Sequence, residues 1–212
     1  MARELRPLVR ALALPVITPG AAWRSDSVTV AIVGVGPAAA AAGAAAVCEA
    51  FEPDRILVVG VAGALAPTLR IGDIVSPELV VAAAGGQAYR PTAPSASARR
   101  GTLVTVGTIG EPVPAGAAAV DMETAAIAAV CDDHGVAWDV RRGISDLPGT
   151  LRTAAVALVR PDGRTDAGAV ARLLVRRPQE AARLARLGRD ARRAIASVTR
   201  AALATVEEVA AR

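Results

Sequence analysis

A chain of 212 residues, 53% hydrophobic and 21% charged, is long enough to bury a sizeable core within one domain and too apolar to stay disordered. Glycine and alanine interrupt its apolar stretches, so no run of about 18 or more apolar residues marks a membrane span, and the charged N-terminus MARELRPLVRALALP shows no clear export cleavage site. The net charge is +4 and every basic residue is arginine; that excludes a Schiff-base or Walker-type lysine, while the single His134 excludes histidine-cluster metal sites and disfavours Ser-His-Asp chemistry.

One Phe, one Tyr and two Trp give too few stacking platforms for a single-strand binder, so no nucleic-acid partner is expected. Cys48 and Cys131 lie in apolar, helix-like segments without metal-ligand spacing and read as structural thiols. The expected location is the cytoplasm.

The predicted elements alternate along the chain. Val28 to Val33 (VTVAIV) is a β-branched run that ends in GVGP and leads into an alanine-rich helix from about Ala38 to Ala50. Arg55 to Val59 is a second short strand, GVAGALAPTLRIGD a glycine-punctuated loop, and Ile74 to Ala84 a third extended segment. Arg90 to Arg100 (RPTAPSASARR) reads as a mobile loop and not as a domain boundary. Strands follow at Thr102 to Val106 and Ala117 to Met122, then a helix from Glu123 to about His134 and a strand from Ala137 to Ile144. Alternation of this kind predicts an α/β fold with a largely buried sheet.

The C-terminal third changes character. A helix from about Ala167 to Arg176 is followed by Pro178 at the start of a long helix towards Arg212. Leu184, Leu187, Ala191, Ile195 and Val198 share one face, and Arg183, Arg186, Arg189, Arg193 and Arg200 tend to the others. The helix reads as a cover for the sheet with a solvated arginine face; weak attraction to anionic membrane surfaces is the alternative.

Carboxylates are the candidate chemistry. AVDMETAAIAAV sets Asp121 and Glu123 around Met122 where a strand gives way to a helix, and RRGISD ends the next apolar run on Asp146. Two successive strands thus each deliver an acid at a carboxyl end. GVGP lacks the third glycine and the distant acid of a dinucleotide fingerprint, so no Rossmann cofactor site is read there. Its glycines, with Gly60, Gly63 and Gly72, permit close ligand approach to backbone amides, and ordinary tight turns are an equal alternative for each.

Three stretches taken in order, VVGVAGALAPTLRIGDIV, AVDMETAAIA and RRGISD, are similar to the nucleoside phosphorylase/nucleosidase superfamily. The chain looks closest to the nucleosidases that act on methylthioadenosine and adenosylhomocysteine. The tail ALVRPDGRTDAGAVARLLVRRPQEAARLARLGRDARRA resembles the hopanoid-associated phosphorylase-like branch. The resemblance implies a three-layer α/β/α sandwich around a mixed central sheet over residues 1–212, with C-terminal helices from about 167 packing on it. It implies homo-oligomers, a dimer first, and no cofactor or metal. The implied partner is a small-molecule purine nucleoside, a 5′-modified adenosine, cleaved at its glycosidic bond.

Site roles follow from the same resemblance. Asp146 protonates or hydrogen-bonds N7 of the leaving purine, and Ser145 orients it. Glu123 accepts hydrogen bonds from the ribose hydroxyls, with Met122 beneath the sugar and Gly63 and Val61 lining the substrate site. An apolar setting of Gly143, Ile144 and Leu147 would raise the pKa of Asp146 as a proton donor requires. Asp121 reads as structural. Glu4 in ARELRPLV is the match to the N-terminal glutamate that holds the attacking water; a solvated helix-start residue is its alternative, because the strand that should precede it is absent or reduced to Met1 and Ala2.

Departures from the family pattern bear on the reaction. Where its phosphorylases hold phosphate with an arginine and a hydroxyl, this chain has Val58 and Val61, which favours water over phosphate as the attacking group. The segment GTIGEPVPAG is short and leaves no phenylalanine to stack on the base, so Trp138, Tyr89 or aliphatic side chains must form that wall. A phosphorylase and a catalytically silent nucleoside-binding relative remain the alternatives.

Overall fold

The computed structural model describes residues 2–18, 22–108, 110–149, 168, 172, 175–177 and 180–210. In chain order its elements are α1 (Ala2–Ala11), β1 (Val16–Thr18), β2 (Ala22–Arg24), β3 (Thr29–Ala31), α2 (Pro37–Phe51), β4 (Arg55–Ala64) and β5 (Ile74–Val75). Then come β6 (Leu79–Ala82), β7 (Ala88–Tyr89), β8 (Thr102–Thr105), β9 (Ala119–Asp121), α3 (Thr124–Asp133), β10 (Ala137–Asp146) and α4 (Glu180–Ala210). Within the tail stretch singled out above, residues 157–167, 169–171, 173–174 and 178–179 lie outside the described residues, and with them most of the helix expected over Ala167 to Arg176.

The central sheet is mixed, seven-stranded and curled, in the order β5-β10-β4-β9-β8-β6-β7, and this is the three-layer α/β/α arrangement expected. Its axis is the pair of ten-residue strands β4 and β10, parallel from Ala137 opposite Arg55 to Ile144 opposite Ala62. Pleating sends alternate side chains to opposite faces. On one face Val58, Ala62, Trp138, Val140 and Ile144 join the main core with α2 and α3. On the other, Leu57 and Val59 pack with Leu8 of α1, Trp23, Val30 and Ala202 of α4.

Several expectations are revised. The strand predicted over Arg55 to Val59 continues through Gly60 to Ala64, because Gly60 pairs with β10 and Gly63 with both β10 and β9. The extended run Ile74 to Ala84 divides into β5 and β6 around Pro77, which cannot donate to a ladder; β5 pairs at one edge of the sheet and β6 near the other. VTVAIV contributes β3 to a separate three-stranded antiparallel sheet. Residues 2–11 form a helix. Helix α2 starts at Pro37, whose missing N–H is no loss at a first helical position, and ends on Glu52 in the left-handed conformation.

The loop from Arg90 to Arg100 is anchored. Thr92 exchanges bonds with Trp138, its amide donating to the Trp138 carbonyl (2.8 Å) and its hydroxyl accepting from the Trp138 amide (3.1 Å). The Ala93 amide donates to Asp139 (2.6 Å), the Ser95 amide to Ser76 (2.9 Å), and the Arg99 amide to the Ile74 carbonyl. Asp139 also faces Arg55 at 3.5 Å, and buried Arg141 donates to Ser76 at 2.9 Å. The polar composition that suggests mobility is used instead to satisfy buried groups at the edge of β10.

Helix α4 covers the opposite face of β10, with its buried stripe at Ala194, Val198, Thr199, Ala202 and Thr205. Leu184, Leu187, Ala191 and Ile195 are only half-buried, so the packed stripe lies further along the helix than the leucine spacing predicts. No described helix is long and apolar enough to cross a membrane. Gly143 allows the close contact: a methyl group there would lie 2.6 Å from the Ala194 carbonyl oxygen and 3.3 Å from Val198 Cβ. Gly143→Ala is expected to lower unfolding free energy by about 1–3 kcal/mol in urea denaturation, since backbone has to move. Gly188→Ala, in the same helix with only the Arg192 guanidinium at 4.0 Å, is expected to raise it by about 0.5–1 kcal/mol. Equal effects would show that α4 does not seat on Gly143.

Candidate active site

The two carboxylates do not approach from the same direction. β9 runs antiparallel to β4, and β10 runs parallel to it. Their acids are therefore delivered against β4 from opposite ends. Asp146 lies opposite Gly63, while Arg142, which reaches the β9–α3 junction, lies opposite Gly60. At about 3.3 Å per residue, three steps of β4 separate the two levels by about 10 Å of backbone.

Glu123 is the N-cap residue of α3 and is 9% exposed. Its Oε1 accepts the amide of Gly36 at 3.2 Å, the residue before α2, and its Oε2 faces the Arg142 guanidinium at 3.4 Å. Burial pushes its pKa up; Arg142 opposes that, Asp121 adds to it, and the Gly36 and Met122 amides oppose it. Two helices and two strands thus converge on one side chain.

Arg142 is the residue the motif reading passed over. It is 5% exposed, forms an ion pair through Nη2 with Asp121 at 2.5 Å, and donates Nε and Nη2 to the Thr124 hydroxyl at 3.2 and 2.9 Å. A methyl group at Gly60 would lie 2.0 Å from its Nη1, so the glycine opposite it is the clearance its guanidinium occupies. Asp121 is saturated: Thr105 donates at 2.6 Å, the Thr124 amide at 3.1 Å, and the Thr124 hydroxyl donates as well. The available sequence signal was RR in RRGISD beside a glycine at the register position of the neighbouring strand.

Asp146 has a different environment. The ladder shifts register between Ile144 and Asp146, and such an extra residue re-aims side chains. Ser145, in that shift, donates to Asp146 Oδ1 at 2.7 Å and to the Ala62 carbonyl at 3.4 Å. A methyl group at Gly63 would lie 2.7 Å from Asp146 Oδ2. Burial raises the Asp146 pKa, with the Ser145 hydrogen bond acting against it. No cation is among the causes of that shift, unlike that of Glu123.

Met122 is half-buried among Val104, Val106, Val113, Leu65 and Val120. Val61 is half-buried on β4 between the two glycines, and Val58 is buried. Trp138 is enclosed in the main core with its indole N–H on Asp132 at 2.8 Å, and Tyr89 packs on that core from the edge strand β7. Of the candidates for a base wall, the aliphatic group around Met122 adjoins Glu123 in the chain. Glu4 belongs to α1, and its side chain lies outside the described residues. No group of three or more His, Cys, Asp or Glu able to hold a metal occurs among the described residues.

A raised carboxyl pKa in the folded state means that folding binds a proton. The stabilisation is complete below the ordinary aspartate pKa of about 4 and is lost as pH rises through the raised value. Asp146→Asn keeps the acceptor for Ser145 and cannot ionise. Its melting temperature relative to the parent is expected to rise between pH 4 and pH 7 in thermal melts; a constant difference would show that Asp146 is not held in a desolvated setting.

Residues 22–104 match the family model described as the phosphorylase superfamily. Among solved structures, the Helicobacter pylori 5′-methylthioadenosine/S-adenosyl homocysteine nucleosidase aligns at 16% identity and TM-score 0.69, covering 98% of this chain and 95% of that one. The native futalosine hydrolase of the same organism aligns at 17% identity and TM-score 0.68, covering 98% and 94%. A 5′-methylthioadenosine/S-adenosylhomocysteine nucleosidase from Colwellia psychrerythraea, in complex with adenine, aligns at 25% identity and TM-score 0.51, covering 59% and 69%. Over residues 22–104 this chain resembles the phosphorylase superfamily in sequence, and over nearly its whole length its fold is that of the two Helicobacter pylori structures.

Proposed function

We propose that this chain is an N-ribosyl hydrolase that cleaves the glycosidic bond of a purine nucleoside, a 5′-modified adenosine in the first instance. The observation that carries the reading is the pairing of unlike carboxyls across β4. Asp146 sits desolvated beside a hydroxyl, with no cation among the causes of its raised pKa, whereas Glu123 is held by an arginine and a backbone amide. Cleavage of a ribosyl–purine bond passes through a sugar with oxocarbenium character and a base that leaves well only when protonated. A carboxyl raised by burial with only a hydroxyl beside it suits protonation of the base, and one that faces an arginine suits the ribose hydroxyls as the sugar gains positive charge.

In this mechanism Ser145 orients the Asp146 carboxyl towards N7, and Asp146 gives up its proton as the bond to the sugar breaks. Glu123 accepts from the ribose hydroxyls, bonds that strengthen towards the transition state. Met122 packs beneath the sugar, with Gly63 and Val61 along the substrate. Glu4 is assigned to the attacking water. Val58 and Val61 offer no charge-assisted bonds to a phosphate dianion, which supports water as nucleophile. The nucleosidases and the futalosine hydrolase that share the fold support the hydrolytic class. The protein is expected to assemble as a dimer.

A panel of purine nucleosides assayed for free base, with and without inorganic phosphate, tests the reading. Base release independent of phosphate is expected, with 5′-modified adenosines preferred; strict phosphate dependence would make the protein a phosphorylase. Asp146→Asn is expected to lower base release on the order of 10²-fold or more while nucleoside binding survives. Glu123→Gln is expected to weaken binding and turnover together. Near-parental turnover in either variant would remove that residue from the mechanism.

A further inference from the structure

We propose that Asp121 is a positioning residue for this site, an inference that rests on the nucleosidase reading above: by holding the Arg142 guanidinium, it keeps the Glu123 carboxylate available to the ribose hydroxyls. One nitrogen, Arg142 Nη2, lies 2.5 Å from Asp121 and 3.4 Å from Glu123. The first is the closer ion pair, and the second is a hydrogen bond at the long end of its range. The guanidinium therefore sits closest to Asp121, and its bond to Glu123 stays long.

Asp121 cannot yield that position easily. Its side chain is 1% exposed and takes hydrogen bonds from Thr105 on β8 and from the amide and hydroxyl of Thr124 at the start of α3. Thr105 in turn accepts the amide of Ala125 at 2.9 Å. The network ties β8, β9 and the first turn of α3 into one unit and sets the lateral position of the guanidinium over Gly60. Around Glu123, β9 presents Asp121, β10 presents Arg142 and α2 presents the uncharged Gly36 amide; Arg142 and Asp121 are the charged groups that act on it. Removing the Asp121 charge takes away a like charge and frees the guanidinium to close on Glu123. Both changes favour ionised Glu123, and the closer ion pair competes with substrate hydroxyls.

The test uses the full chain. In Asp121→Asn, KM for the cleaved nucleoside is expected to rise about tenfold and the acid limb of kcat/KM to move to lower pH; Asp121→Glu is expected to bring both back towards the parent. The double variant Asp121→Asn/Arg142→Gln removes both charges of the closer ion pair together, leaves Glu123 on the Gly36 amide, and carries the test if the single variant does not fold. Because Arg142 acts on Glu123 more strongly than Asp121 does, its limb is expected to move to higher pH. Carbon-13 titration of the glutamate carboxyls in ligand-free protein, with Glu123→Gln to assign the signal, reads the same opposite shifts without turnover. A purely structural Asp121 would lower stability and leave the Glu123 titration of both variants at the parental value, which overturns the proposal. A parent that releases no base from any nucleoside would sink the nucleosidase reading by itself, since the carboxyl titrations are measured independently.

Discussion

A guanidinium buried against a glycine organises this site. Arg142 extends from the middle of β10 across β4 over Gly60 and ends between Asp121 and Glu123. Taking a charge out of water is costly unless it is paired and its donors are satisfied. Here two carboxylates and the Thr124 hydroxyl meet it, and among the described residues no buried side-chain nitrogen or oxygen lacks a hydrogen-bond partner. The register of β10 on β4, the short strand β9 and the start of α3 all have to agree for that arginine to be paired.

The rest of the site exploits a contrast. Both Glu123 and Asp146 are pushed towards the protonated form by burial, yet only Glu123 is countered by a cation and two backbone amides. Two carboxyls raised by the same cause are thus opposed by different groups, a cation and amides at Glu123 and the Ser145 hydroxyl at Asp146. The antiparallel course of β9 and the register shift before Asp146 place them on one strand's glycines from opposite directions.

Support for β10 comes from both sides of the sheet. On its α4 face, Gly143 admits the helix backbone, and near its start Trp138 and Asp139 hold the loop from Arg90 to Arg100. A strand fixed in this manner carries Arg142 and Asp146 with little freedom to shift, which is the preorganisation that electrostatic catalysis depends on. The cost is a set of buried polar groups, Asp139, Arg141 and Ser76, each matched by a partner in the loop, in β4 or along β10 itself.

The sequence by itself determined the α/β class, the long helices and the acidic residues of interest, because hydrophobic periodicity and β-branched runs are local signals. AVDME and RRGISD stood out since charge at the end of an apolar strand is costly without a role or a partner. Local signals could not show that β4 runs on through its glycines, that VTVAIV leaves the main sheet, or that the Pro/Ser-rich loop is anchored; each depends on which strand supplies the hydrogen bonds. Asp121 reads as structural from the sequence, but its partner Arg142 lies 21 positions away on another strand and is legible only from the register that sets it over Gly60. Tertiary structure alone decided that Asp121 and Glu123 would share that arginine while Asp146 faces a hydroxyl, because a buried charge is defined by what packs against it and not by its neighbours in the chain.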